Sequence, residues 1–195
     1  CVMDLWQWPS LNNEIFFLEE DLFFSSRKVL GIEVFPLSQT DTSGAVVVIA
    51  IGDSKARKGI VSVLPPDTTY ATIIHPTVSL TPYTKIGTGG IVLAHCFLSC
   101  DVEIGLHAVI NPSTTISHDC IIGDYLTCSP GVNISGNCFI GSEVFLGANA
   151  SIRNAVRICD EVTVGMGSVV IKDINSSDTY IGNPARSINQ VDKIK

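Results

Sequence analysis

The chain has little charge and no hydrophobic run long enough to cross a membrane. Only 16% of its 195 residues are charged, whereas 46% are hydrophobic. The longest aliphatic run, residues 45–51, is far shorter than the ~20 residues that a transmembrane helix needs. A chain of this length can bury a sizeable core, so we predict a soluble folded protein without a membrane span.

Basic residues are scarce as well. The chain has 12 lysines and arginines, 19 acidic residues and a net charge of −7, and no stretch is rich in lysine or arginine. A surface with this charge repels nucleic-acid phosphates, so we predict no nucleic-acid partner.

The seven cysteines form no Cys-x-x-Cys pair and lie mostly inside aliphatic stretches. An odd number without that spacing argues against a disulfide framework and against a structural zinc site. No basic and apolar secretory leader is visible at Cys1. These features predict a cytoplasmic protein without bound metal.

The chain does contain a repeat with a period of six residues. Stepping by six from Leu80 to Val170, fifteen of the sixteen positions are aliphatic, and the exception is Cys128. The residue two places before each of them is small or medium-sized and uncharged, and the residue after it is glycine at positions 87, 105, 123, 141, 147 and 165. We expect these glycines to turn corners with unusual backbone angles. Each hexad is then a short strand and a turn.

A helix would place apolar residues at a period near 3.6, and a hairpin meander would not hold a six-residue register over this length. A coil with three flat faces, each six residues long, explains both the period and its constant register. The 90 residues from Leu80 to Val170 make five turns of 18. The two apolar positions of each hexad then point inward and stack on their equivalents one turn away. Cys120 and Cys138 are one turn apart in that inward column, which predicts stacked core thiols.

This pattern resembles the hexapeptide-repeat family of left-handed parallel β-helices, which are an exception to the right-handed crossover rule. The resemblance implies a mainly β chain. The open ends of a solenoid need caps, and residues 1–77 and 172–195 are available for them.

The residues before the repeat predict a small α/β domain. Segments rich in β-branched and aromatic residues, which predict strands, are 14–18, 29–35, 45–51 and 70–74. Ala56, Ile60 and Val63 have helical spacing after a capping Asp53 or Ser54, and residues 2–8 look like the end of an earlier helix. We predict an α/β domain over residues 1–74 and a β-helix domain with a C-terminal tail over residues 75–195.

The segments FLEE at 17–20, KVLG at 28–31, IAIGD at 49–53 and IHP at 74–76 resemble, in this order, the sugar acyltransferases. That group includes sialic acid O-acetyltransferases and bacterial nucleotide-sugar N-acetyltransferases. The resemblance implies a Rossmann-like domain that binds a sugar nucleotide through Glu19, Glu20, Gly52 and Asp53. The first strand and Gly-rich turn of that domain are missing from this sequence, so we expect it to be truncated. Glu19 and Glu20 fit an ordinary solvated turn equally well.

Acyl transfer from a thioester needs a base for the attacking group and a donor for the oxyanion. The segment ISHDCIIGD at 116–124 resembles the catalytic stretch of the family. The resemblance implies that His118 is the base, while Asp119 either orients the ring or faces water. Gly136, 18 residues later, lies one turn away, ~5 Å along the axis. The resemblance implies that the backbone N–H of Gly136 donates a hydrogen bond to the acyl carbonyl.

The family binds acyl-CoA in a groove between subunits, which implies a homotrimer with acetyl-CoA as the co-substrate. Ala148, Met166 and Gly167 occupy the matching CoA-binding places. Lys172 and Arg186 lie in segments that resemble the family's exit loop, and they fit either CoA phosphates or ordinary surface charges.

The acceptor remains open at this point between the amine of a nucleotide-linked amino sugar and a hydroxyl of a sugar such as sialic acid. Two other classes compete with acyl transfer. A zinc enzyme on the same fold needs three converging histidines, but His95, His107 and His118 occupy different faces or positions of the repeat. The second competing class is a non-catalytic trimeric scaffold. We expect His75, before Pro76, to be structural.

Overall fold

A computed structural model describes residues 15–191, and the helix end predicted at residues 2–8 lies outside them. The chain separates into one unit that ends at Ala45 and a larger unit that begins at Val46. The first unit holds a three-stranded sheet, Phe17–Glu19, Lys28–Val29 and Ile32–Pro36, and a 3-10 turn at Leu37–Gln39. Ile32–Pro36 is the central strand, parallel to the first strand and antiparallel to the second.

The larger unit is a parallel β-solenoid with three faces. The first face has eight strands, Ile73–Ile74, Ile91–Val92, Val109–Ile110, Thr127–Cys128, Phe145–Leu146, Thr163–Val164, Thr179–Ile181 and Arg186–Ser187. The second has six, Ser79–Leu80, Phe97–Leu98, Thr115–Ile116, Asn133–Ile134, Ser151–Ile152 and Val169–Val170. The third has five, Lys85–Ile86, Glu103–Ile104, Ile121–Ile122, Phe139–Ile140 and Arg157–Ile158.

The six-residue register predicted from the sequence is confirmed. Up to the last coil, each strand pairs in parallel with the strand 18 residues later, as Thr115 does with Asn133 and Ile121 with Phe139. At the C-terminal end Thr163 pairs with Thr179, and the strand Arg186–Ser187 is antiparallel to its neighbour. The aliphatic column from Val92 to Val170 is buried, as is the smaller column beside it from Cys96 to Ser168. Leu80, at the open end, is 42% exposed because no earlier coil covers it.

The prediction that the glycines after the aliphatic column adopt unusual backbone angles is wrong. None of the six glycines that follow the aliphatic column has a positive φ. A Cβ on Gly87 would lie 2.6 Å from the carbonyl carbon of Gly105, and one on Gly147 would lie 2.5 Å from the backbone N of Met166. These positions require glycine because adjacent coils approach too closely for a side chain. The left-handed residue of each corner comes two places later, and it is often Asp, Asn, His or Glu.

The predicted helix is present as α1, Ser54–Val63, and it covers part of the first face. Its buried face is formed by Ser54, Arg57 and Ile60, while Ala56 and Val63 are exposed. Asp53 caps it by accepting a hydrogen bond from the backbone N–H of Ala56 at 2.7 Å. Ser54 Oγ lies 3.3 Å from Thr127 Oγ1 on the solenoid. The outward-facing Ile91, Val109 and Thr127 are consequently buried. Two strands flank α1 in the chain, Val46–Val47 and Thr69–Tyr70, which pair in parallel, and a short helix α2, Ile188–Val191, follows the solenoid.

Among the described residues, no helix is long and apolar enough to span a bilayer.

His107 lies in the layer between α1 and the solenoid, and it should make folding sensitive to acid. Its ring stacks on Tyr125 and meets the edge of Tyr70, with centroids 5.4 and 4.7 Å away. Its Nδ1 is buried without a partner. Burial, with the Arg57 charge, lowers the pKa of His107, since Asp124 compensates only in part.

We therefore expect stability to be complete above the unfolded-state pKa of His, ~6.5, and to fall as the pH drops below it. Urea unfolding at pH 7.5 and pH 5.5 should show a smaller acid loss in His107→Gln than in the wild type. One proton can contribute at most ~1.4 kcal/mol per pH unit. Equal acid losses in both proteins would show that His107 is not responsible.

Candidate active site

His118 lies on the corner between the second and third faces, which we call the His118 corner. The strand Thr115–Ile116 ends there, and Asp119 turns the chain with a φ of +57°. Asp101 and Asn137 occupy the equivalent left-handed position one coil before and one coil after. Asp and Asn tolerate this conformation better than most residues. The corner therefore places the His118 and Asp119 side chains at the surface.

His118 and Asp119 form a hydrogen-bonded pair. His118 Nδ1 lies 2.6 Å from Asp119 Oδ2, and the two side chains are 53% and 54% exposed. Since an ionised carboxylate only accepts, Nδ1 carries the hydrogen in this pair, and Nε2 keeps its lone pair when the ring is neutral. The arrangement suits a general base that works through Nε2.

Gly136 lies against the His118 ring. A Cβ at this position would be 2.8 Å from both Cε1 and Nε2 of His118, so only glycine lets the ring lie there. The two coils are tied by the N–H of Asn137, which donates to the His118 carbonyl at 2.9 Å. Within residues 15–191, the Gly136 N–H donates to no other group. Gly136 itself is buried, so its N–H is left without an acceptor from the described chain.

The thiols of Cys120 and Cys138 lie inside the solenoid beneath this corner, stacked as predicted. Each donates to the carbonyl 15 residues later, Cys120 to Ser135 and Cys138 to Arg153, both at 3.3 Å. The hydrogen bond with the Cys138 thiol, and then burial, raise the pKa of Cys120. It is a core donor and not a nucleophile, because its reactive thiolate form is disfavoured.

The predicted CoA-binding residues Ala148, Met166 and Gly167 lie on a different corner, between the first and second faces. Met166 is 81% exposed. Gly167 has a φ of +66° and donates its N–H to the Ala148 carbonyl at 2.8 Å. One whole face, six residues wide, separates them from His118. Within one chain, these residues and the His118 pair do not converge.

The predicted nucleotide-binding residues have partners of their own. The Glu19 carboxylate holds Arg27 through two hydrogen bonds of 2.7 and 2.8 Å, which lower the pKa of Glu19. Glu20 is exposed. In the larger unit, Asp53 caps α1, and the Gly52 carbonyl accepts from Thr127 Oγ1 at 2.7 Å.

Arg57 is a residue that sequence reasoning misses. Although it lies in a polar helix segment, it is fully buried. Its guanidinium donates to five backbone carbonyls and one hydroxyl, on Ile51, Gly52, His107, Tyr125, Leu126 and Thr127. Burial lowers its pKa to about 10. Arg57 thus fixes both α1 and the turn at Gly52 to the solenoid.

No group of three or more His, Cys, Asp or Glu side chains in residues 15–191 is arranged to hold a metal ion.

No family model matches the sequence, and no curated protein matches it. Solved structures do. PerB from Caulobacter crescentus, solved with CoA and GDP-perosamine, is 30% identical over 82% of this chain and 80% of its own, with a TM-score of 0.75. The chain belongs to the hexapeptide-repeat sugar acyltransferases.

Two further members of the sugar acyltransferases support the assignment. The acetyltransferase domain of PglB from Neisseria gonorrhoeae is 27% identical, covering 90% of this chain and 87% of its own, with a TM-score of 0.82. The same domain was solved with acetyl coenzyme A. WeeI from Acinetobacter baumannii is 28% identical, covering 89% and 85%, with a TM-score of 0.82. The prediction of an acyltransferase is therefore confirmed.

Proposed function

We propose that this acyltransferase moves an acetyl group from acetyl-CoA to the amine of a nucleotide-linked amino sugar. The observation that carries the proposal is the His118–Asp119 pair against Gly136 on an exposed corner. PerB, solved with CoA and GDP-perosamine, indicates the classes of the two substrates. A variant of the GDP-perosamine N-acetyltransferase of Caulobacter crescentus with one histidine replaced by alanine was also solved with CoA and GDP-perosamine.

In this proposal His118 takes the proton from the attacking amine through Nε2, while Asp119 fixes the ring and stabilises its protonated form. The Gly136 N–H donates to the oxyanion of the tetrahedral intermediate. The acetyl group passes directly from CoA to the amine. The proton on His118 then goes to the departing CoA thiolate, and no acyl-enzyme forms.

The separation of the two corners supports a homotrimer. If a second copy placed its Ala148, Met166 and Gly167 against the His118 corner, acetyl-CoA could touch both sets at once. The exposed Phe97, on the second face between the two corners, offers apolar surface for such contacts. Lys172 and Arg186 are candidates for the CoA phosphates.

The acceptor's nucleotide is proposed to bind at Glu19, Glu20, Gly52 and Asp53, in a Rossmann-like domain that spans residues 1–74. We also propose that the solenoid is left-handed and that the boundary between the α/β domain and the β-helix domain lies between residues 74 and 75. Six free cysteines among the described residues fit a reducing cytoplasm.

The test is thiol release from acetyl-CoA in the presence of 4-amino nucleotide sugars, including GDP-perosamine, and of sialic acids. We expect turnover with at least one amine. Turnover with sialic acids alone would replace this proposal with O-acetylation, and failure to bind CoA would favour the non-catalytic scaffold.

A further inference from the structure

A groove of about 480 Å³ opens along the His118 corner and the third face, on the side of the earlier coils. Its lining residues are Pro82, Tyr83, Lys85, Asp101, Glu103, Asp119 and Ile121. Asp119 is the carboxylate that is hydrogen-bonded to His118. The groove therefore ends at the proposed catalytic pair.

Most charges in the groove are paired. Lys85 Nζ lies 2.6 Å from Glu103 Oε1, and Asp119 is taken by His118. Among the described residues, Asp101 makes no direct side-chain hydrogen bond or ion pair, although its charge acts on Lys85 and helps to raise the pKa of that lysine. Asp101 is thus the one lining carboxylate without a directly bonded partner, and Lys85 is the nearby cation with which a ligand would compete.

Asp101 and Asp119 are equivalent residues on adjacent coils. Both take the left-handed turn position, with φ of +53° and +57°. The strands that follow them pair in register, Glu103 opposite Ile121. Adjacent strands are ~5 Å apart, so a small group bound at Asp101 would lie within one coil of the His118 pair.

The groove also has an apolar wall. The side chains of Tyr83 and Ile121 are 68% and 53% exposed, and Pro82 is exposed beside them. An exposed aromatic ring with a few polar groups around it suits a pyranose, which has an apolar face and a polar rim.

We propose that this groove binds the sugar of the acceptor and that Asp101 determines specificity by binding its protonated amine. This inference rests on the function proposed above. At neutral pH a sugar amine is largely an ammonium ion, and it must lose one proton to solvent before it can attack. The free amine, no longer held by its charge at Asp101, then moves to Nε2 of His118 on the Gly136 side and forms the C–N bond. His118 takes the second proton, the C–S bond breaks, and the CoA thiolate receives that proton. A hydroxyl at the same carbon gains no charge interaction with Asp101, so the groove favours amine acceptors.

The test is steady-state kinetics of Asp101→Asn, which keeps the shape of the side chain and removes its charge. We expect the acceptor KM to rise five- to tenfold, as for the loss of one partly exposed charged hydrogen bond. The acetyl-CoA KM and the kcat at saturating acceptor should change less than twofold. The wild-type acceptor KM should rise as the pH passes the amine's pKa, and Asp101→Asn should flatten that rise.

Asp67→Asn is the matched control, since it removes an exposed carboxylate that does not line the groove. It should leave both KM values unchanged. If an amine is acetylated but Asp101→Asn leaves the acceptor KM within twofold, the role of Asp101 is refuted while the proposed function stands. An equal rise in both KM values would also refute it. If no amine is acetylated by the wild type, the proposed function itself fails.

Discussion

Replacing His118 with alanine is expected to lower kcat for sugar acetylation at least ~100-fold, the usual contribution of a positioned general base. The reason is that Nε2 of His118 is the basic atom on the corner, while Nδ1 is engaged by Asp119 at 2.6 Å. The KM for acetyl-CoA should change little, because CoA is proposed to bind through Gly136 and the other corner. Initial rates of thiol release, with both substrates varied, measure each quantity.

His95→Ala is the matched control for this loss. His95 also lies on an exposed corner, with a φ of +60°, but it has no carboxylate partner in the described chain. Its replacement should leave kcat within twofold. A His118→Ala enzyme that keeps more than a tenth of wild-type kcat would remove His118 from the proposed role.

Replacing Arg57 with methionine is expected to cost about 3 kcal/mol of folding free energy, because carbonyls that lose a buried partner are expensive. Methionine fills a similar volume but leaves the carbonyls of His107, Tyr125 and Leu126 without their donor. Part of the loss is offset because a buried charge is also removed. Urea unfolding at pH 7.5, at fixed protein concentration, should show a lower midpoint with an unchanged slope.

Lys58→Met, one residue along the same helix, is the control, because it removes the positive charge of an exposed side chain and not of a buried one. Lys58 pairs with Glu143, whose side chain is only 12% exposed, but the Lys58 side chain itself is 54% exposed, so its loss should cost less than the loss of Arg57. Equal midpoints for the Arg57 and Lys58 variants would show that the buried network of Arg57 does not hold α1 to the solenoid.

The solenoid could be predicted from the sequence because its cause is local and repeated. Every sixth residue must fill the same interior, so burial requires an aliphatic residue at nearly every sixth position from Val92 to Val170. The position of His118 on a corner follows from the same count. The pairing of His118 with Asp119 is predicted only as one of two alternatives, because the six-residue repeat determines the backbone position of a corner residue but not the rotamer of its side chain.

Other features depend on contacts between distant parts of the chain. Arg57 looks like a solvated helix residue, since its partners at 107 and 125–127 are 50 to 70 residues away. The corner glycines were predicted correctly as special but for the wrong reason, because the closeness of adjacent coils is invisible in one hexad. The groove at Asp101 arises from three successive coils, and no single segment predicts it.

The most direct test of the central claim is carbon NMR of a reaction between the wild-type enzyme, acetyl-CoA labelled at the acetyl carbonyl and 4-amino nucleotide sugars. The account predicts that the thioester carbonyl signal is replaced by the carbonyl signal of a sugar amide, and that His118→Ala leaves the thioester signal in place. An ester, or free acetate alone, would contradict it.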